Sequence, residues 1–224
     1  MDNDASPDGV VRIYWHMDDC RLVSYSDDVG PHGEGSVDVR ILQPLLASIN
    51  QLAQHLGFEK VALQAHCNLE KYLVKSEVMH ELAYYYHVDV YRYSTLTPGQ
   101  DAVTEIYNSI YKNIQQDPFH ALPVVLITSD HQLLQNVHAL LMDSTLQGLP
   151  GTLLVVCTTL NPEDHPEVRA LTEWRGALVY AWTPRLGVSQ LHYGNTATTD
   201  DGISDQVTPL SLPEDTPYGC FNFE

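Results

Sequence analysis

The sequence predicts an α/β protein, a three-layer α/β/α sandwich around a mostly parallel sheet of five or six strands. Short apolar runs alternate with longer segments whose apolar residues follow the helical period of 3.6 residues. The run over residues 123–128 is apolar almost throughout, which is typical of a strand covered on both faces. Such an alternation favours parallel strands joined by crossover helices.

The first half of the chain is predicted to contain three strands and two helices. The strands are expected over residues 10–15, 60–67 and 88–93. The first helix is expected from Asp38 to Leu56, because Gly57 is well placed to end it. The second helix is expected to follow Asn68, a candidate N-cap, and to reach about Tyr86.

The second half is predicted to contain two further helices and the remaining strands. These strands are expected over residues 123–128, 152–157 and 177–182, and the last of them decides between five and six strands. The helices are expected to begin near Asp101 and at His131, directly after Asp130. Aspartate is a favoured N-cap, so both aspartates have a structural role whatever the function.

One domain with acidic ends is the predicted organisation. A chain of 224 residues, 44% of them hydrophobic, is long enough to bury one sizeable core. The α/β domain is expected over residues 10–182, between an acidic N-terminal tail of residues 1–9 and an acidic, flexible C-terminal tail of residues 183–224. Such tails either keep a protein soluble or dock on a basic protein partner, and the composition leaves both open.

The charge and the apolar runs restrict the partners and the location. The formal net charge of −18 repels RNA unless a basic patch or bound cations offset it. No apolar run approaches the roughly 20 residues that cross a bilayer, so no membrane segment is expected. The N-terminus does not resemble a signal peptide, and the four cysteines form no C-x-x-C pair. A cytoplasmic or nuclear location is therefore expected.

Acidic residues stand where predicted strands end and predicted helices begin. Because the carboxyl ends of parallel strands share one edge of the sheet, these side chains are expected to meet. Clustered carboxylates repel one another unless a cation compensates them, and Mg²⁺ and Mn²⁺ prefer oxygen ligands. The sequence therefore predicts a metal site that could support phosphodiester hydrolysis, composed of Asp18, Asp19, Asp101, Glu105 and Asp130.

Three short motifs resemble the NYN branch of the PIN-like nuclease superfamily. Ile-Tyr-Trp-His-Met-Asp-Asp-Cys at residues 13–20 resembles the family's first strand, which ends in Asp-apolar-Glu-Asn. Residues 124–133 are similar to its later signature, a strand followed by Ser-Gly-Asp-x-Asp-Phe, and residues 99–106 fall where the family has a middle acidic motif. The likeness runs from about residue 10 to residue 157, in the family's order.

The resemblance implies a PIN-like fold and a metal-dependent endoribonuclease that acts on single-stranded RNA. By this likeness Asp18, Asp101 and Asp130 are the catalytic residues and hold one or two Mg²⁺ or Mn²⁺ ions. Asp19 and Glu105 would assist them as further metal ligands. In the middle motif the family's aspartate aligns either with Asp101 or with a nearby threonine.

Other positions depart from the family's pattern. The family's leading aspartate falls on His16, which brings no negative charge to a Mg²⁺ site, although a one-residue shift would restore Asp18. The second acid of the last motif is Gln132, and the usual aromatic residue is Leu133. Three alternatives therefore stay open: an active ribonuclease, a degenerate NYN-like domain that serves as a protein-interaction or regulatory module, and an unrelated doubly wound α/β enzyme.

Overall fold

The structure, a computed structural model, describes eight stretches of the chain. They are residues 10–20, 42–68, 76–94, 101–116, 124–142, 154–174, 176–183 and 187–193. The predicted N-terminal tail and the predicted C-terminal tail from residue 194 onward lie outside the described residues. Among the helices of these stretches, none combines the length and the apolar character that spanning a bilayer requires.

The chain folds as an α/β protein, as predicted, with seven strands and five helices in the described stretches. The strands are β1 Val10–His16, β2 Lys60–Asn68, β3 Asp89–Tyr93, β4 Val124–Ile127, β5 Leu154–Thr158, β6 Ala177–Thr183 and β7 Gly187–Tyr193. The helices are α1 Leu42–His55, α2 Ser76–Tyr84, α3 Ala102–Gln116, α4 His131–Leu141 and α5 Pro166–Glu173.

All seven strands belong to one sheet, in the order β3-β2-β1-β4-β5-β6-β7. Every neighbouring pair is parallel except β6 and β7, so the predicted parallel character is confirmed. The predicted count of five or six strands is wrong, because β7 adds a seventh and extends the sheet past residue 182. An edge strand is paired on one side only and does not need the continuous apolar run of a central strand, so its sequence signal is weak.

Alternate residues of β1 enter two different hydrophobic clusters. Ile13 and Trp15 belong to a cluster that includes residues of α1 and α2. Tyr14 belongs to another, which includes residues of α3, α4 and α5. Successive side chains of a strand point to opposite faces of a sheet, so both faces of β1 are buried. The same holds for β4, whose four residues are all buried, as its apolar run predicts.

The structure describes only part of each of the first two predicted helices. The helix predicted from Asp38 to Leu56 is described over Leu42–His55, its predicted start at Asp38 lies outside the described residues, and Gly57, at φ +88°, follows its end as predicted. Asn68, the candidate N-cap of the second helix, is the last residue of β2; α2 is described from Ser76, and residues 69–75 lie outside the described residues. The side-chain oxygen of Asn68 accepts a hydrogen bond from the backbone N–H of Ala102, 3.1 Å away, at the start of α3.

Helix α5 was not predicted from sequence. It has eight residues and begins with Pro166, a favoured first residue because its missing N–H is not needed there. Only three of its residues are buried, and one of them is the charged Glu167. An apolar stripe of two residues, Val168 and Leu171, is too short for a clear periodic signal.

The strand order reverses between β1 and β4. From β1 the chain proceeds to β2 on one side, and it returns from β3 to β4 on the other side of β1. In open α/β sheets, such a switch point forms a crevice at the carboxyl ends of the strands, where ligands bind. The residues that follow β1 and β4, residues 17–20 and 128–130, lie at this crevice.

Candidate metal centre at the carboxyl ends of β1 and β4

His16, the last residue of β1, lies between two carboxylates. Its Nδ1 is 3.0 Å from Asp19 Oδ2, and its Nε2 is 3.5 Å from Asp18 Oδ2. The second separation is an ion-pair distance, and Nε2 makes no hydrogen bond within the described residues. A turn directly after β1, closed by the N–H of Cys20 donating to His16 O at 3.1 Å, brings both aspartates back towards the imidazole. The hydroxyl of Thr128, after β4, is 3.3 Å from Nδ1.

The protonation of His16 follows from these neighbours. Burial alone would lower the pKa of this imidazole, because desolvation disfavours its charged form. The negatively charged carboxylates of Asp18 and Asp19, 3.5 and 3.0 Å from the ring nitrogens, outweigh burial and raise the pKa of His16 to about 9. The imidazole is therefore protonated at neutral pH and compensates part of the negative charge of the site.

Asp18 is buried and connects β1 to the ends of two other elements. Its carboxylate accepts a hydrogen bond from the backbone N–H of Asn68 at 3.0 Å and another from the Asn68 side chain. The same Asn68 amide accepts from Ala102 at the start of α3. The residue before Ala102 is Asp101, whose two carboxylate oxygens are each 3.0 Å from a donor of Thr104. Asp101 therefore has the predicted capping role, and Asp18 is linked to this helix start through Asn68.

Asp130 caps α4 and faces the same crevice. Its Oδ1 accepts from the N–H of Leu133 at 2.7 Å, as predicted for an N-cap. Asp130, Asp19 and His16 each offer one ligand atom, and these three atoms lie within 4.8 Å of one another. The structure thus brings two of the five predicted metal ligands, Asp19 and Asp130, together with His16.

The other three predicted ligands are arranged differently. Within the described residues there are two groups of at least three potential metal ligands, and neither contains Asp18, Asp101 or Glu105. Asp18 is oriented by Asn68, and Asp101 caps α3. Glu105 lies in the first turn of α3, where a negative charge is favoured by the helix dipole.

His66 is a residue of this edge that sequence reasoning did not connect to the site. It is the β2 residue paired in register with His16. Its Nδ1 is 2.9 Å from the hydroxyl of Tyr93, and its ring stacks on Tyr91 and Tyr93 with centroid distances of 5.0 and 5.7 Å. Burial, with a smaller contribution from His16, lowers the pKa of His66 to about 4. The sequence signal that could have connected His66 to the site is its position near the end of a predicted strand.

The thiol of Cys20 does not supply a nucleophile. Cys20 is buried, and its Sγ is 3.5 Å from Ser129 Oγ. Burial raises the pKa of the Cys20 thiol to about 12, so the thiolate is scarce at neutral pH. The chemistry available here is therefore that of carboxylates and imidazoles.

Comparisons with family models, with curated proteins and with solved structures find no match to this chain. The resemblance of three motifs to the NYN branch stays an expectation drawn from the sequence. The convergence of His16, Asp19 and Asp130 is a geometric fact of the fold that does not depend on it.

Proposed function

We propose that this chain is a PIN-like domain of the NYN branch, cytoplasmic or nuclear, that binds a divalent cation and hydrolyses single-stranded RNA. The observation that carries the proposal is the convergence of His16, Asp19 and Asp130 at the β1/β4 switch point. The order of the three motifs along the chain supports it. In this proposal the helices that contribute to the two hydrophobic clusters form the outer layers of a three-layer α/β/α sandwich.

The donor set suits Mn²⁺ better than Mg²⁺. Mg²⁺ demands octahedral oxygen coordination, whereas a set of two carboxylates and one imidazole is also acceptable to Mn²⁺. Such a cation, when bound, supplies an activated water and compensates the charge that develops on the phosphate. The cation that we propose is therefore Mn²⁺, held by His16, Asp19 and Asp130.

Neighbouring residues position this donor set. Asp18 is fixed by Asn68 and lies beside the imidazole of His16. The hydroxyl of Thr128, which directly follows β4, contacts Nδ1 of the same imidazole. A nitrogen that binds a cation cannot also carry a proton, so cation binding and protonation compete at His16. We therefore expect Mn²⁺ affinity to increase as the pH rises towards about 9, the pKa of the metal-free imidazole.

A second candidate function is a non-catalytic interaction or regulatory module in which the His16 imidazolium takes the place of the metal. The observation that favours it is that this cation already lies 3.0 and 3.5 Å from two carboxylates. Asp18 and Asp130 in addition accept hydrogen bonds from backbone N–H groups. In such a module the domain would bind a protein partner, through its acidic tails or this edge, and would not cut RNA.

Cleavage of a fluorescent single-stranded RNA by the full chain tests the leading proposal. We expect cleavage in Mn²⁺ that EDTA stops and that Asp130→Asn abolishes, with the fold kept because asparagine is also a good N-cap. Asp89→Asn, at an exposed position at the start of β3, is the matched control and should cleave like the wild type. Absent cleavage, or cleavage that Asp130→Asn leaves unchanged, contradicts the proposal.

His16→Asp separates the two candidates, because it restores the residue that the family has at this position. In a ribonuclease the added carboxylate should strengthen Mg²⁺ binding and allow cleavage with Mg²⁺. Under either hypothesis the same change removes the internal cation and crowds the carboxylates, so it should destabilise the metal-free chain, and in a non-catalytic module Mg²⁺ should restore stability without cleavage. Thermal unfolding with and without Mg²⁺, recorded beside the cleavage assay, distinguishes recovery of stability alone from recovery of activity.

A further inference from the structure

A second group of potential metal ligands lies at the N-terminal ends of α4 and α5. It consists of His131, His165 and Glu167, each with one ligand atom within 4.8 Å of the others. Glu167 Oε1 is in hydrogen-bond contact with His131 Nδ1 and is 3.5 Å from His165 Nδ1. The two imidazole rings have centroids 4.9 Å apart. This group shares no residue with the one at His16.

The donor set has the chemistry of a zinc site. Two imidazole nitrogens and one carboxylate oxygen form a three-ligand set that proteins use for Zn²⁺, with a water in the fourth position. With metal–ligand distances of about 2.0–2.1 Å, two ligands of a tetrahedral site are roughly 3.3 Å apart. The 3.5 Å between His165 Nδ1 and Glu167 Oε1 is close to that separation. Mg²⁺ and Ca²⁺ prefer oxygen ligands and suit this set less well.

Hydrogen bonds join the two loops that lead to His131 and His165. Ser129, two residues before His131, has its Oγ 2.6 Å from the hydroxyl of Thr159 and accepts the Thr159 N–H at 3.0 Å. Thr159 begins the loop that leads to His165. Within this loop, the backbone carbonyls of Glu163 and Pro162 accept hydrogen bonds from the guanidinium of Arg169, at 2.6 and 3.2 Å. The ligands are thus held near one another before any ion binds.

The proposed ligands differ in their exposure to solvent, and this difference suits an ion that enters from solvent. The side chain of Glu167 is 6% exposed and that of His131 is 55% exposed. The buried Glu167 carboxylate is paired with His131 in the metal-free chain, and a cation would take over that pairing. The exposed imidazole leaves a path from solvent for the ion.

We propose that His131, His165 and Glu167 form a Zn²⁺ site with an open fourth position, separate from the cation site at His16. The proposal does not rest on the ribonuclease reading, because the two sites have no ligand in common. A Zn²⁺ ion held there joins the start of α4 to the start of α5 and stabilises the folded chain by mass action.

Zinc itself is the probe in the decisive experiment. The full chain, freed of metal by a chelator, is titrated with Zn²⁺ in competition with a chromophoric chelator. We expect a tightly bound equivalent of zinc, weakened by at least the roughly 10- to 100-fold typical of an altered metal site in each of His131→Asn, His165→Asn and Glu167→Gln. Zinc that binds at His16 would form a separate class of site, which these three variants should leave unchanged. His138→Asn, in the last turn of the same helix, is the matched control and should bind like the wild type.

Two further measurements keep the outcome unambiguous. Asp19→Asn and Asp130→Asn remove carboxylates of the other site and should leave the zinc equivalent unchanged. If these variants lose zinc while the three proposed ligand variants keep it, the proposal is overturned. Co²⁺ bound to the unmodified chain should give the visible bands of four-coordinate cobalt and lose them on addition of Zn²⁺. Absence of these bands, or of any bound zinc, also overturns it.

Discussion

His16 and His66 are partners on neighbouring strands and are equally buried, yet they differ in charge. They pair in register between β1 and β2, with exposures of 1% and 2%. Burial lowers the pKa of both imidazoles. Asp18 and Asp19 reverse that effect at His16 and raise its pKa to about 9, whereas within the described stretches no carboxylate offsets burial at His66, whose pKa is about 4. The sign of the neighbouring charge, rather than the depth of burial, decides the protonation state.

The contrast divides the sheet edge into two halves of different chemistry. On the β1/β4 side, an imidazolium lies among carboxylates, for which a divalent cation would compete in the proposed function. On the β2/β3 side, a neutral imidazole is stacked against Tyr91 and Tyr93 of β3. The charged histidine and its two carboxylates therefore lie at the switch point, whereas the neutral histidine beside them lies against aromatic rings.

Asp18→Asn should have the largest effect on this contrast. The change removes a charge beside a buried imidazolium and places an amide donor against the Asn68 side chain. We expect the free energy of unfolding to fall by about 3 kcal/mol, the lower end of the cost of breaking a buried ion pair. Urea denaturation checks the stability, and NMR titration should show a lower pKa for His16. A His16 pKa that stays unchanged would rule out Asp18 as its counter-ion.

The two histidines should give opposite slopes of stability against pH. An unfolded histidine titrates near pH ~6.5. The folded pKa of His16, about 9, is higher, so its stabilisation is complete below that reference and is lost as the pH rises through 9. The folded pKa of His66, about 4, is lower, so its contribution is complete above the reference and is lost as the pH falls towards 4. On a plot of the free energy of unfolding against pH, these two losses form an alkaline arm and an acid arm. Each loss should be on the order of 3 kcal/mol.

Denaturation of the metal-free chain across this pH range, with two variants, assigns the arms. His16→Gln should flatten the alkaline arm alone, and His66→Gln should flatten the acid arm alone. Comparison with the wild type removes the contribution of the other acidic groups, which titrate in all three proteins. An alkaline arm that survives in His16→Gln would contradict the assignment.

Tyr93→Phe should have a smaller effect, on the aromatic half of the edge. It removes the hydroxyl that is 2.9 Å from His66 Nδ1, while Nε2 of the same ring has no hydrogen-bond partner among the described residues. A buried polar group left without its partner costs about 1–3 kcal/mol. Tyr91→Phe, which keeps the stacked ring on a side chain that is 40% exposed, is the control and should change stability little. Equal losses in both variants would indicate that stacking rather than the hydrogen bond matters.

Asp19→Asn should have the smallest effect. Asp19 pairs with the same imidazole as Asp18, but its side chain is 34% exposed, against 3% for Asp18. Water screens such a pair, and we expect a loss of less than about 1 kcal/mol in the same denaturation assay. A loss larger than that of Asp18→Asn would invert the proposed order of the two carboxylates.

Local patterns were enough to predict much of the fold. Six of the seven strands lie where their apolar runs predict them, because strand periodicity is written in neighbouring residues. The cap at Asp130 and the helix end before Gly57 also depend on only a few consecutive residues. The weak signals were missed: β7 is a mixed edge strand, and α5 has a short apolar stripe.

The sites depended on contacts that a linear pattern does not contain. The Asn68 side chain accepts a hydrogen bond from Ala102 at the start of α3, 34 residues away, and His131 meets Glu167 across 36 residues. The sequence by itself determined that acidic residues follow β1 and β4. Only the strand order placed β1 beside β4 and so joined His16, Asp19 and Asp130 while turning Asp18 to Asn68. Periodicity is a local property, whereas side-chain convergence depends on strand order and register, which long-range packing decides.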